Sequence, residues 1–117
     1  MEKGNKMDFS VNGKENYTIV SIKGNLDAIT SPEAEEKLKA EIQDSNKIIL
    51  DLAGLEYISS AGLRVILNIA KILQLQGGYL ALAGLGNQVQ EVFEISGFTN
   101  IFDIYPDVKK AEEAANN

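Results

Sequence analysis

The sequence predicts a single α/β domain: a mixed sheet of roughly four to five strands with helices packed against it, in the order β-β-α-β-α-β-α-β-α. Three observations point there. From Thr30 onward, short apolar runs alternate with segments of helical period, which favours parallel strands joined by right-handed crossovers. Ile48, Ile49 and Leu50 make the β-branched-rich run expected of a strand buried on both faces. Before them, two strand-like runs flank Asn12-Gly13-Lys14-Glu15-Asn16, whose Asn and Gly residues suit a tight reversal. The sheet therefore opens with an antiparallel hairpin.

Residues 1–6 are polar and are expected to be loose, leaving 7–115 as the domain. Met7–Val11 and Tyr17–Ile22 are the hairpin strands. Gly24-Asn25-Leu26-Asp27 ends the second of them. A helix then begins near Thr30-Ser31-Pro32-Glu33 under two competing caps: Ser31 with Pro32 at the first helical position, or Thr30 with Glu33 closing a capping box. Ala34, Leu38 and Ile42 form its inner face, and Ser45-Asn46 breaks it before the central strand.

After that strand a short loop leads to Ser59-Ser60. The following helix runs to Gln76, stopped by Gly77-Gly78. Its inner stripe is Leu63, Ile66, Leu67, Ala70 and Leu73, with Val65, Ile69 and Ile72 as a second apolar line. So wide an arc implies deep burial or a partner surface. Tyr79–Ala83 is the next strand, and a helix with Val89, Val92 and Phe93 inward closes at Ser96-Gly97-Phe98. Ile101–Ile104 is a short last strand, and Pro106–Ala115 a terminal helix expected to fray after Glu113.

Composition narrows the function. The chain has 117 residues, 44% hydrophobic and 24% charged, enough to bury a core. A net charge of -6 disfavours nucleic acid, and no Lys/Arg cluster offsets it, because Lys109-Lys110 runs straight into Glu112-Glu113. No apolar run approaches the roughly 20 residues of a membrane span, so no direct membrane insertion is expected. Without an N-terminal apolar leader or any cysteine, a cytoplasmic location is expected. Histidine is also absent. The commonest general base and the best zinc ligands are thus missing, so no enzyme, metal or cofactor is expected.

Asp51 stands near the end of the central strand, where response-regulator receiver domains carry a phosphate-accepting aspartate. The paired acids and the lysine of that family have no counterparts here, and a turn-fixing role fits Asp51 better. Gly84-Leu85-Gly86 lacks the third glycine and the acidic residue of a dinucleotide site, so it marks a tight turn. Glu33, Glu35, Glu36, Glu41, Glu91 and Glu94 form a solvated acidic surface. Ser59 and Ser60 stand at a helix N-terminus, where one would serve as the cap. With no His or Lys nearby, neither is a promising nucleophile. Phosphorylation by another protein needs no such base, and the helix dipole tolerates the added charge.

Four stretches in this order give the chain a resemblance: Gly24-Asn25-Leu26-Asp27 after the hairpin, IILDLAGLEYI, SSAGL, and the late ISGF turn from Ile95 to Phe98. It resembles a STAS domain, specifically a bacterial anti-sigma-factor antagonist. That resemblance implies a STAS-like fold and a protein that binds an anti-sigma factor which is also a serine kinase, freeing the sigma factor. The kinase would phosphorylate Ser60 and break the complex, and a protein serine phosphatase would reset it. Ser59 is the second choice of acceptor. Asp27 matches an aspartate near the acceptor, and Asp27, Ala28, Thr30, Ser31, Tyr57, Ser59, Ser60 and Arg64 are the expected partner contacts. Two departures stand out: Ser59 occupies a place where many members have Asp, and Arg64 one where many have Gly. A free monomer is expected. The alternative job is that of an accessory subunit of a transport ATPase or a signalling scaffold, binding partners without a phosphoswitch.

Overall fold

The computed structural model describes residues 6–116; the expectation for residues 1–5 lies outside them. Strands β1 (Met7–Gly13) and β2 (Thr18–Leu26) form the expected hairpin, in register from Met7↔Gly24 to Gly13↔Thr18. Lys14 N–H closes its turn onto Tyr17 O at 2.8 Å. The chain continues through α1 (Ser31–Asp44), β3 (Lys47–Asp51), β4 (Leu55–Ile58), α2 (Ser60–Leu75), β5 (Tyr79–Ala83) and α3 (Asn87–Ile95). A 3-10 turn (Phe98–Asn100), β6 (Asp103–Tyr105) and α4 (Val108–Ala115) complete it.

The sheet runs β1-β2-β3-β5-β6, and only the β1–β2 pairing is antiparallel. The sixth strand, β4, was expected to be loop. It arises because β2, nine residues long, pairs with β3 only from Thr18 to Ser21 and leaves its far end open. Beyond β3 the Asp51 carboxylate accepts from Ala53 N–H at 3.1 Å and from Ser21 Oγ at 3.1 Å. Asp51 is the turn-fixing residue. The chain steps out over Leu52–Gly54, and Leu55 N–H closes that step on Leu52 O at 3.1 Å. It then rejoins β2 in parallel, Gly24↔Leu55 and Leu26↔Ile58.

Helices α1, α2 and α3 cover one face. Val20, Ile22, Ile48, Leu50 and Leu82 point from the sheet into their side, meeting Leu38, Ile66, Ile69 and Phe93. Each fully buried Leu or Ile there contributes about 1.5–3 kcal/mol. Phe93 meets Phe98 and Phe102 edge-on, with ring centroids 6.0 and 6.3 Å away. The other face carries Tyr17, Ile19, Ile49, Ala81 and Ala83 under α4, which packs on it through Ala111 and Ala115, as small as the two sheet alanines. Both faces of β3 are thus buried, as its apolar run requires.

Three terminal expectations change. Thr30 takes the N-cap position of α1 but its side chain makes no capping bond, so no capping box closes with Glu33, and Ser31 lies inside the helix. The last strand starts at Asp103, because the 3-10 turn consumes the residues before Ile101 and Phe102 turns inward onto Phe93. Helix α4 remains ordered to Ala115 instead of fraying after Glu113. Asp107 caps its start by accepting from Lys110 N–H at 2.8 Å, and Lys47 Nζ donates to Ala115 O at 3.0 Å at its end.

Candidate functional site

Two segments distant in sequence meet where β2 and β4 end. On the β2 side, Asp27 Oδ1 accepts from Ile29 N–H at 2.9 Å and Thr30 N–H at 3.0 Å. Thr30 Oγ1 donates to Asn25 O at 2.8 Å and accepts from Asp27 N–H at 3.0 Å. Ser31 N–H donates to Asp27 O at 2.8 Å, so a single turn wraps Asp27–Ser31 just ahead of α1, whose N-cap position is Thr30. A carboxylate answering two open N–H groups is a cap by function.

On the β4 side, Ser59 N–H donates to Leu26 O at 3.0 Å and extends the parallel ladder by one bond. Ser59 is the N-cap of α2. Its Oγ accepts from Gly62 N–H at a long 3.4 Å, and its carbonyl accepts from Leu63 N–H at 2.9 Å. Ser60 is the first helical residue and is exposed. The glycine of SSAGL has a steric reason: a Cβ on Gly62 would lie 2.6 Å from Leu26 O and 2.8 Å from Ile58 Cγ1. Only hydrogen there lets α2 rest this closely on the end of β2.

Around Ser60 the Leu26↔Ile58 pairing brings the Asp27–Thr30 turn beside the start of α2. Ala28 and Arg64 are exposed, Tyr57 is 53% exposed and Ile29 is 69% exposed, so this end of the sheet offers apolar as well as polar contact. Asp27 and Ser59 are half-buried and engaged in capping. Thr30 and Ser31, expected as contacts, are only 6% and 4% exposed. Thr30 ties the turn and Ser31 is buried in the first turn of α1, so both shape the surface more than they form it.

Beside this patch a groove of about 440 Å³ separates α1 from α2, with Pro32, Ala61, Arg64, Asn68 and Lys71 among its walls. Asn68 Nδ2 donates to Glu35 Oε2 at 2.7 Å across it, and Lys39 Nζ lies 3.8 Å from the same oxygen. Ser31 also lines the groove, its buried Oγ without a hydrogen-bond partner. Ile29 and the groove were not singled out from sequence. Exposure of an isoleucine and apposition of two helices are tertiary facts that no local pattern encodes. Among the described residues no group of three or more His, Cys, Asp or Glu side chains could hold a metal ion, and no helix is long and apolar enough to cross a membrane.

Residues 8–111 match the STAS domain family. The chain belongs to that family. BtrV of Bordetella bronchiseptica is 38% identical over 99 residues, covering 84% of this STAS chain and 85% of BtrV. The anti-sigma-B factor antagonist of Bacillus subtilis is 31% identical over 98 residues, covering 84% and 90%. Among solved structures, an anti-sigma factor antagonist from Mycobacterium paratuberculosis superposes with a TM-score of 0.90 over 100% of both chains at 21% identity, a likeness of fold. The six-stranded sheet with four helices is thus a STAS fold.

Proposed function

We propose that this STAS domain is an anti-sigma-factor antagonist: a protein-binding module, not an enzyme, that acts in the cytoplasm and is switched off by phosphorylation of Ser60. The observation that carries the proposal is an exposed hydroxyl on the first residue of α2, with Ile29, Tyr57 and Arg64 exposed on the segments that adjoin it in the fold. With neither His nor Cys in the chain, that hydroxyl has no imidazole or thiolate to work with, and it suits modification by another protein. The name of the Bacillus subtilis relative supports the same job.

In the unmodified state, Ile29, Tyr57 and the aliphatic stem of Arg64 offer the apolar contact and Ser60 completes it. The partner is a serine-kinase anti-sigma factor, and its capture releases the sigma factor. A phosphate adds about -1.5 to -2 charges at the centre of this contact. The helix dipole accepts that charge, so the fold survives, while the buried interface does not. A protein serine phosphatase restores binding.

The test uses the anti-sigma factor kinase of the same cell, labelled ATP, and Ser59→Ala and Ser60→Ala variants. Ser60→Ala is expected to bind the kinase and take up no label, while Ser59→Ala is still labelled. Full labelling of Ser60→Ala would move the acceptor to Ser59. Ser60→Asp is expected to bind the kinase at least tenfold more weakly, a loss of about 1.4 kcal/mol or more; equal affinities would end the switch.

A further inference from the structure

We infer that Arg64 clamps the phosphate of phosphorylated Ser60 on its own helix, withdrawing a cation from the contact surface as the anion arrives. This rests on Ser60 being the modified residue. Ser60 and Arg64 are the first and fifth residues of α2, both exposed. Side chains four apart share a helix face with Cβ atoms about 5–6 Å apart, within reach of a guanidinium and a phosphate. The order is the favourable one, anion toward the N-terminus and cation toward the C-terminus.

The surroundings leave Arg64 available. Of the two ion pairs among the described residues, Glu33–Lys37 and Glu35–Lys39, neither involves Arg64. Helix α2 carries Arg64 and Lys71 and no acid, in a chain with a net charge of -6. Facing it from α1, Glu35 is already taken by Asn68 and Lys39. Asp27, from the adjoining turn, spends Oδ1 on two backbone N–H groups. A guanidinium meets a phosphate bidentately, which a lysine ammonium cannot reproduce.

Phosphorylation then acts twice on the patch: it adds negative charge and folds away the positive side chain that a partner carboxylate would meet. A phosphatase must also draw the phosphate off Arg64 before hydrolysing it.

The experiment installs phosphoserine at position 60 of the full chain by genetic encoding, so that no kinase is needed. Phosphorus NMR follows the second ionisation of the phosphate, ordinarily near pH 6. A neighbouring cation favours the dianion, so the midpoint in the native chain is expected about 0.3 below that of Arg64→Ala, with Arg64→Lys between them. The difference should shrink at roughly 1 M salt, where the Debye length falls to about 3 Å. Asp27, Glu35 and Lys71 are common to all three proteins and cancel. Equal midpoints in the native chain and Arg64→Ala would overturn the clamp. That failure is separate from failure of Ser60 as acceptor, which only the kinase assay reads.

Discussion

Replacing Gly62 with alanine tests how α2 is seated on the sheet. The added Cβ would lie 2.6 Å from Leu26 O, 2.8 Å from Ile58 Cγ1 and 2.9 Å from Leu26 Cγ. None of these is the end of a flexible exposed chain: Leu26 and Ile58 are buried, and their backbones pair with each other. Overpacking of this kind costs about 1–3 kcal/mol. A clash with a backbone oxygen puts that cost in the upper part of the range, about 2–3 kcal/mol, and alanine recovers about 1 kcal/mol of helix propensity, leaving a net loss of about 1–2 kcal/mol. For a domain of this size that lowers Tm by about 4–8 °C in a thermal melt followed by circular dichroism. Gly13→Ala supplies the contrast. Nothing lies within 4 Å of a Cβ there and its φ is not positive, so the stiffer residue should hold Tm or raise it by about 2–4 °C. If Gly62→Ala melts at or above the native temperature, close approach is not why glycine stands in SSAGL.

Two further perturbations address the rest of the fold. Phe93→Ala removes a fully buried ring from the three-phenylalanine cluster and should cost about 3–5 kcal/mol in urea unfolding; a loss below about 1 kcal/mol would mean the cluster does not anchor α3. Burial, with hydrogen bonds to Tyr105 and Asp103, pushes the Tyr79 hydroxyl well above the ordinary pH 10 of a tyrosine. The folded form keeps its proton after the unfolded chain has lost it, so Tyr79 stabilises below pH 10 and that contribution drains away as the pH rises further. Tyr79→Phe should therefore flatten the alkaline decline of Tm between pH 10 and 11; an unchanged slope would discount this tyrosine.

Most of the architecture was legible because the burial period and the turn chemistry agree. Ile48–Leu50 gave the doubly buried strand, Ala34, Leu38 and Ile42 the inner face of α1, and Gly77-Gly78 the stop of α2. What escaped was decided by partners far along the chain. LEYI became a strand because the far end of β2 had an open edge, not because its four residues alternate cleanly. Thr30, at the N-cap of α1, makes no capping bond because its hydroxyl found Asn25 O, five residues back, and Asp27 answers the open N–H groups of the turn instead. The tail of α4 held because Lys47 reached its last carbonyl. At the site, the serine pair and Arg64 were visible in sequence, and the exposure of Ile29 and burial of Ser31 were not.

Strand β2 has a practical consequence as a spacer. It carries the Lys14–Asn16 reversal at one end and the Asp27 turn at the other, so its nine residues set the two apart by about 26 Å at the usual rise of a strand. The residues of the reversal are exposed and stand a strand's length from the Ser60 end. A fluorophore or surface tether attached there would present the Ser60 end outward in one orientation. Immobilised binding measurements could then be made without masking the surface they interrogate.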